Sequence, residues 1–597
     1  MKYKLLRALR VLIACLMLAA IVALFVDVHE KVPQSFAWLA KIQFIGAIFG
    51  GSIVVLLALL LGTLLFGRLY CSIVCPLGIF QDLLAWLAAK SRALASKIGP
   101  KSAEEKEKAK VKKPKKRISW KNYSFRKNRK WIRLAFLVYA AIAGFVGLFN
   151  FGLIEPYSIF GRIAVSVLRP FNVMLNNGLY EAFQNASSAR LRYAFHYINL
   201  YPESGWALFI GILSFVVVAI FAGRYGRLYC NTVCPVGSIL GWLSQFSLFK
   251  TRIDASKCIA CGLCEKRCKS SCIDAKNKTV DVTRCVVCFD CFGACKKDAI
   301  RYGLGKKVTV APNELETQPT SQLDEATLLE KERVMRQAQG FDRSKRQFLT
   351  LTALAATGAI AKLASGAIRS DGDDLPYGQF DESTDAPSDA PTLPSETPAD
   401  YGLTPYERKN EIMPPGAPNR AHYQHRCVGC HLCVTKCPQR VLRPAGFEHG
   451  LLGFMQPVVD YSEHRGFCNF DCTICGEVCP TGAILPLTRE KKHITQIGQV
   501  VFIKENCIVY AKEEHCGACS EHCPTQAVRM VPYGDPAKGL TIPETNVELC
   551  VGCGGCEYIC PARPYRAIYV EGHTVQQEAT PPPKEEVQEV EDVDFGF

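Results

Sequence analysis

The 597-residue chain has no Gly-rich dinucleotide fingerprint and no P-loop, which disfavours a nicotinamide or ATP site. Histidine is scarce where a membrane haem would need it. Within the first 250 residues only His29 and His196 occur, both outside the apolar runs, and no Cys-x-x-Cys-His string stands there to attach a c-type haem. The apolar runs carry almost no ionisable residues, so the strongest mark of an intramembrane site is missing. No small-x-small cleavage signal follows the first apolar run, Val11–Val26, which reads as an uncleaved membrane helix rather than a signal peptide.

Positive charge is plentiful, with a net +16. Its distribution points to a membrane and not to nucleic acid: between Lys101 and Arg133 there are 15 Lys and Arg against three Glu, directly before an apolar run. Positive charge beside a span marks the cytoplasmic side. Four runs have about the 20 residues needed to cross the hydrocarbon core: 11–26, 42–66, 131–151 and 206–223. They place the N-terminus and the basic loop inside. The segment 153–195 is then outside, and its apolar parts Ile159–Leu168 and Val173–Leu179 read as short interfacial or re-entrant helices.

Thirty cysteines are the main signal. Disulfides are the ordinary expectation for an exported protein, but 28 of the 30 fall in short, regular, often Pro-flanked runs, which disulfide frameworks rarely do. Cys15, inside the first apolar run, reads as a buried small hydrophobe.

Two runs sit in the membrane half. Phe66–Gly78 and Tyr225–Gly237 agree at nine of thirteen positions, each with Gly-Arg-Leu-Tyr-Cys and Cys-Pro. Such a repeat implies a pseudo-twofold pair of hairpins. Residues i and i+4 share a helix face, so Cys71 and Cys75, with Cys230 and Cys234, offer four thiols that can converge. They are either an iron–sulfur site or structural or redox-active thiols without metal.

Six further runs are polar. Cys258-Cys261-Cys264-Cys268 and Cys285-Cys288-Cys291-Cys295 have the C-x2-C-x2-C-x3-C spacing, in which three thiolates wrap one cubane and the fourth reaches the neighbouring cluster. One cluster takes Cys258, Cys261, Cys264 and Cys295. The other takes Cys285, Cys288 and Cys291, with Cys268 or Cys272 as fourth ligand. Lys269 and Lys296 stand where Pro is usual. The remaining runs are Cys427-Cys430-Cys433-Cys437, Cys468-Cys472-Cys475-Cys479, Cys507-Cys516-Cys519-Cys523 and Cys550-Cys553-Cys556-Cys560, each followed by Pro. Val441, Ile484 and Val528 predict a short strand after the first three. Sixteen ligands make four [4Fe–4S] clusters; the spacing does not say which runs pair. Paired Cys-x2-Cys strings would suit zinc, but triplets favour cubanes. His422, His425, His431, His515 and His522 read as polar surface residues able to tune a potential.

The expected fold is multidomain: an α-helical membrane domain with four spans and a fifth tethering helix, and two α+β ferredoxin-like domains. The boundaries are 1–250 for the membrane domain and 251–309 for a cytoplasmic two-cluster domain. A polar connector at 310–340 leads to an export signal or anchor at 341–366, then to an acidic flexible linker at 367–413. A periplasmic four-cluster domain at 414–572 and a disordered tail at 573–597 complete the chain.

Residues 1–309 resemble the NapH-type membrane ferredoxin of periplasmic nitrate reductase systems, through the paired Cys-x3-Cys-Pro motifs and the run Cys258–Cys295. Residues 341–570 resemble the NapG-type exported ferredoxin, through four cysteine runs, the Pro414–Ala417 segment and a signal at Ser344–Leu349, where Lys345-Arg346 replaces twin arginines. The resemblance implies an inner-membrane protein whose membrane half oxidises menaquinol from the quinol pool. The exported half would pass electrons to a periplasmic reductase or cytochrome. Glu155, Tyr157 and Arg162, in Leu-Ile-Glu-Pro-Tyr-Ser-Ile-Phe-Gly-Arg, are the candidate quinol site, or an interfacial anchor. A second reading is an accessory iron–sulfur protein that keeps a metalloenzyme reduced or assists its maturation. Six clusters are expected, with a seventh if the membrane cysteines bind one.

Overall fold

The structure, a computed structural model, describes residues 2–27, 32–98, 123–146, 150–184, 195–198, 205–304, 404–448, 450–462 and 465–581. The expected connector, the signal-like segment, most of the linker and the end of the tail lie outside these residues.

Helix α1 (Lys2–Val26) is apolar on nearly every side, with Leu5, Leu12 and Leu16 more than half exposed, as a lipid-facing helix requires. Three helices among the described residues are long and apolar enough to cross a membrane: Tyr3–Val26, Pro156–Phe183 and Gly205–Tyr225. The expected second span is interrupted. It forms α2 (Phe44–Phe49) and α3 (Ile53–Phe66), parted where Gly51 takes a φ of +70°. The expected third span is α5 (Lys130–Val146), which follows α4 (Pro76–Ile98) and precedes a short helix at Asn150–Ile154.

The two short helices expected within 153–195 are instead one continuous rod, α6 (Pro156–Phe183), with a π-helical stretch at Ala164–Leu168. The wider turn lies against α7 (Gly205–Tyr225). There a Cβ on Gly211 would stand 2.3 Å from Ser166 Oγ, so only glycine permits the approach. Helix α8 (Pro235–Leu243) completes the second hairpin.

The first ferredoxin unit begins earlier than expected, with strand Phe249–Ile253 paired antiparallel to Ile300–Leu304. It sits at the N-terminal end of α1: Tyr3 stacks on Phe292 at 4.4 Å and Arg7 pairs with Asp290 at 2.7 Å. The described end of the basic loop is held here too, through Phe125 N–H to Glu265 at 3.0 Å and Arg284 to the Arg126 carbonyl at 2.6 Å.

The second unit meets the other end of α1, where Lys436 pairs with Asp27 at 2.8 Å, both buried. It has two lobes. The lobe carrying the first two of its cysteine runs shares one apolar core with the membrane helices, whereas the lobe carrying the last two has a core of its own. The linker was expected to reach residue 413, but Ile412 and Met413 are buried, and Tyr406 and Arg408 bind Glu571 and Glu557. The tail was expected from 573, yet strand Ile568–Glu578 runs through it, paired with Thr495–Phe502. Apolar side chains at 412 and 413, and backbone partners for Val575, Gln577 and Glu578, explain both differences. Strands follow the first run at Leu442–Pro444 and the third at Val528–Pro532, but none begins at Ile484.

Candidate iron–sulfur sites

Three of the polar runs fold the same way. A loop with a left-handed residue leads into one helical turn carrying the third cysteine: Leu263–Arg267, Leu432–Lys436 and Gly555–Ile559 after Gly262, His431 and Gly554. The left-handed step turns the chain sharply enough for three thiols to face one point. The fourth thiol then accepts from a backbone N–H further on: Cys295 from Ala299 at 3.3 Å, Cys479 from Ile484 at 3.5 Å, Cys523 from Ala527 at 3.2 Å and Cys560 from Ala567 at 3.4 Å. Such donors stabilise negative charge on sulfur.

The pairing that spacing left open is visible in space: adjacent runs exchange their fourth cysteines. One cavity is lined by Cys437 with Cys468, Cys472 and Cys475, another by Cys507, Cys516 and Cys519 with Cys560. Reciprocally, Cys479 stands with Cys427, Cys430 and Cys433, and Cys523 with Cys550, Cys553 and Cys556. Burial, reinforced by these neighbours, pushes Cys427, Cys519 and Cys553 up to about 12. Sets of thiols so placed resist ionisation until a cation displaces their protons. Among the described residues no three Cys, His, Asp or Glu side chains converge tightly enough for a single metal ion. Four thiols around a cavity suit a multi-iron cubane better than one zinc.

In the first unit Cys258 and Cys295 face Cys264. Cys285, Cys288 and Cys291 line a second cavity with both Cys268 and Cys272, whose sulfurs are 3.4 Å apart. Cys268 lies within electrostatic reach of all three of its partners there. Cys272 hydrogen-bonds with Cys268 and Cys285, and this holds Cys285 below the usual thiol value.

The membrane cysteines also converge. Cys71, Cys75, Cys230 and Cys234 are all buried in the shared core, and Cys234 lies within electrostatic reach of the other three. They do not share one helix face. Each motif is a single helical turn, Tyr70–Ile73 or Leu228–Thr232, then a break, then a new helix opened by Pro76 or Pro235. Cys234 caps its helix, accepting from Gly237 N–H at 3.3 Å.

Sequence reasoning missed the arginines beside this site, although both belong to the repeated Gly-Arg-Leu-Tyr-Cys string. Arg68 reaches across to the Cys230 carbonyl at 3.1 Å, and Arg227 reaches back to the Cys71 carbonyl at 2.5 Å. Gly78 and Gly237 make room, since a Cβ there would stand 2.4 and 2.1 Å from those same two carbonyls, of Cys71 and Cys230 respectively. Arg227, in reach of both Cys230 and Cys288, connects the membrane site with the first unit.

Glu155, Tyr157 and Arg162 are buried within the protein. Glu155 caps α6 by accepting from Ser158 N–H, and Arg162 donates to the Gly152 carbonyl at 2.8 Å and the Gly429 carbonyl at 3.5 Å. Tyr157 lies within electrostatic reach of Cys430 and Cys479, and Glu155 within reach of Cys75. The three therefore stand between the membrane thiols and the second unit.

Of the histidines, His515 and His522 are exposed, and His425 also lies at the surface. His422 is half-buried, with Nε2 2.9 Å from the Gly482 carbonyl. His431 was expected at the surface but is buried, Nε2 3.0 Å from the Met455 carbonyl, and burial pushes it down to about 3. Cys427-Val-Gly-Cys430-His431 spells a haem-attachment string, yet its thiols face Cys433 and Cys479.

Residues 48–94 and 206–254, which contain the two membrane motifs, each match the 4Fe-4S binding domain family, and residues 514–563 match the 4Fe-4S dicluster domain family. The methylamine utilization ferredoxin-type protein MauM of Methylorubrum extorquens is 32% identical over 157 residues, covering 25% of this chain and 67% of the relative. The chain belongs to the ferredoxin-type iron–sulfur proteins. This ferredoxin-type protein is also similar to NapF of Escherichia coli (strain K12), 27% identical over 164 residues, 28% of this chain and 88% of NapF. NapG of the same organism is 31% identical over 159 residues, 25% of this chain and 65% of NapG. No solved structure matches. The ferredoxin-type protein is thus an iron–sulfur electron-transfer or accessory protein with membrane helices, related to proteins of periplasmic redox systems.

Proposed function

We propose that this ferredoxin-type protein conducts electrons across the membrane, from the face bearing its first ferredoxin unit to the face bearing its second, and on to a periplasmic redox enzyme. The observation that carries the reading is α1. Its 25 residues, about 37 Å at 1.5 Å per residue, touch the first unit at Tyr3 and Arg7 and the second at Asp27, with thiol sets strung alongside. When bound, an iron–sulfur cluster at each set supplies reversible one-electron storage.

The ligand sets are Cys258, Cys261, Cys264 and Cys295; Cys268, Cys285, Cys288 and Cys291; Cys427, Cys430, Cys433 and Cys479; Cys437, Cys468, Cys472 and Cys475; Cys507, Cys516, Cys519 and Cys560; and Cys523, Cys550, Cys553 and Cys556. Cys71, Cys75, Cys230 and Cys234 make a seventh, which Arg68 and Arg227 bind on both sides and whose burial excludes water. Cys272 shares a hydrogen bond with Cys268 beside the second of these sets. The basic loop on the first unit supports a cytoplasmic location for it, so the second unit is periplasmic.

A finer reading has the membrane half oxidise menaquinol and the second unit feed a reductase such as nitrate reductase. The resemblance to NapH- and NapG-type proteins supports it, and so does the buried set Glu155, Tyr157 and Arg162 next to Cys430. The relatives' names fit an accessory role in a periplasmic redox system equally well. The test uses sealed vesicles containing the anaerobically purified protein, an impermeant reductant outside and an electron acceptor trapped inside. Acceptor reduction that needs the protein is expected. A loaded protein that leaves the trapped acceptor oxidised would falsify the conduit. Titration with menaquinol then asks whether quinol feeds it.

A further inference from the structure

The two ends of this conduit differ in charge. Around the first ligand set of the first unit, residues 255–263 are exposed apart from half-buried Cys258 and Gly262. Cys261 itself is exposed, and Ile259 is 67% and Leu263 39% exposed. Five exposed cations stand within three residues of these ligands: Lys257, Lys266, Arg267, Lys296 and Lys297. None makes an ion pair among the described residues. The nearby carboxylates are largely taken: Glu265 accepts from the N–H groups of Phe125 and Ala275, and Asp254 from Ser256 with Arg301 at 3.6 Å. Among the described residues of the first unit, Asp298 is the only carboxylate classed as exposed, and Asp254, Glu265 and Asp274 are half-buried.

At the far end, around Cys507–Cys523, the exposed charges are mixed: Lys512, Glu513, Glu514 and Glu521, with Lys538 paired to Glu513 at 2.5 Å. The second ligand set of the first unit is turned inward, where Lys269 joins Asp82 and Asp290, each at 2.9 Å. The exposed first set is therefore the outermost point of the chain of thiols on this side.

We infer that this face docks a small, acidic, one-electron carrier protein, of the flavodoxin or ferredoxin kind, that donates electrons to the conduit from the cytoplasm. An exposed redox centre with an apolar tip needs a close but brief contact, and a rim with more basic than acidic groups supplies attraction at a distance without a tight interface. The carrier loses one electron and the first unit gains one; no bond forms and no proton need pass between them. The inference rests on the proposed conduit and adds its donor.

The experiment mixes the full-length, cluster-loaded protein in detergent with an acidic flavodoxin reduced to the hydroquinone, and follows cluster bleaching by stopped flow. Wild type is expected to react fast at low salt and to slow steeply as salt screens the rim. Lys257→Glu/Lys266→Glu/Arg267→Glu/Lys296→Glu/Lys297→Glu should slow at least about tenfold at low salt, and keep its rate with photoreduced deazaflavin, an uncharged reductant. The milder Lys296→Gln/Lys297→Gln should fall between. Equal rates for all three proteins with the flavodoxin, or equal loss with both reductants in both variants, would overturn the proposal. So would rim-dependent binding to phosphatidylglycerol vesicles combined with rim-independent reduction, which would make this a lipid contact. A protein that passes the sealed-vesicle test and fails here loses the carrier and keeps the conduit.

Discussion

The two ferredoxin units are attached to the same helices with different shares of charge. Glycine-permitted backbone contact serves both, since a Cβ on Gly226 would stand 2.3 Å from the Lys269 carbonyl of the first unit. The first adds an ion network: Asp82 on α4 gathers Arg10 at 3.4 Å, Arg227 at 2.8 Å and Lys269 at 2.9 Å, tying α1, the second hairpin and the first unit together. The second has the buried pair Lys436–Asp27 and, beside it, close backbone approach. A Cβ on Gly161 would stand 2.3 Å from the Cys430 carbonyl, and one on Gly50 2.9 Å from the Pro480 carbonyl. An ion network can break and re-form locally, whereas two backbones in contact at glycine allow no looser fit. The second unit's first lobe is in effect part of the membrane domain's core, while its second lobe stands apart.

That contrast can be broken most completely at the thiols between the two units. Replacing Cys71, Cys75, Cys230 and Cys234 by Ala should abolish transfer across sealed vesicles and lower the iron count. Both ferredoxin units should still be reduced by a small reductant added to their own side. Unchanged iron and unchanged transfer would return these cysteines to a structural role.

The charged attachment is tested by Asp82→Asn. Removing the carboxylate leaves Arg227 and Lys269 buried without their shared partner, a loss of about 3–5 kcal/mol. Limited proteolysis should release the first unit while the second stays protected. Equal protection of both units would contradict a dominant role for this network in holding the first.

Within the first unit, Cys268→Ala and Cys272→Ala separate ligand from donor. The first should remove one cluster by EPR spin count. The second should keep the count and move the midpoint potential, since it takes away only a hydrogen bond. The reverse outcome would exchange their roles.

The smallest effect is expected in the second unit at Lys492, whose buried ammonium lies 3.6 Å from Cys468 Sγ and 3.0 Å from the Asn469 carbonyl. Lys492→Met should lower one potential by about 1 kcal/mol equivalent, read by a redox titration in which the other signals stay put.

Much of this was legible from spacing. Cysteine runs at C-x2-C-x2-C-x3-C carry their chemistry locally, because three thiols within seven residues must share a loop. The repeat of Gly-Arg-Leu-Tyr-Cys likewise announced two related hairpins. Elements that depended on distant partners were not legible. The broken second span follows from a glycine packed on Pro480, more than 400 residues away, and the burial of Glu155, Tyr157 and Arg162 follows from the second unit lying over them.

The sequence alone determined that this chain binds iron–sulfur clusters and sits in a membrane, since thiol spacing and apolar run length are local properties. Only the tertiary structure decided which runs exchange their fourth cysteines, that Cys268 and Cys272 both line the cavity of Cys285, Cys288 and Cys291, and that four membrane cysteines meet beneath two crossed arginines. Those outcomes depend on which residues distant in the chain are brought within a few ångströms, and no local pattern encodes that.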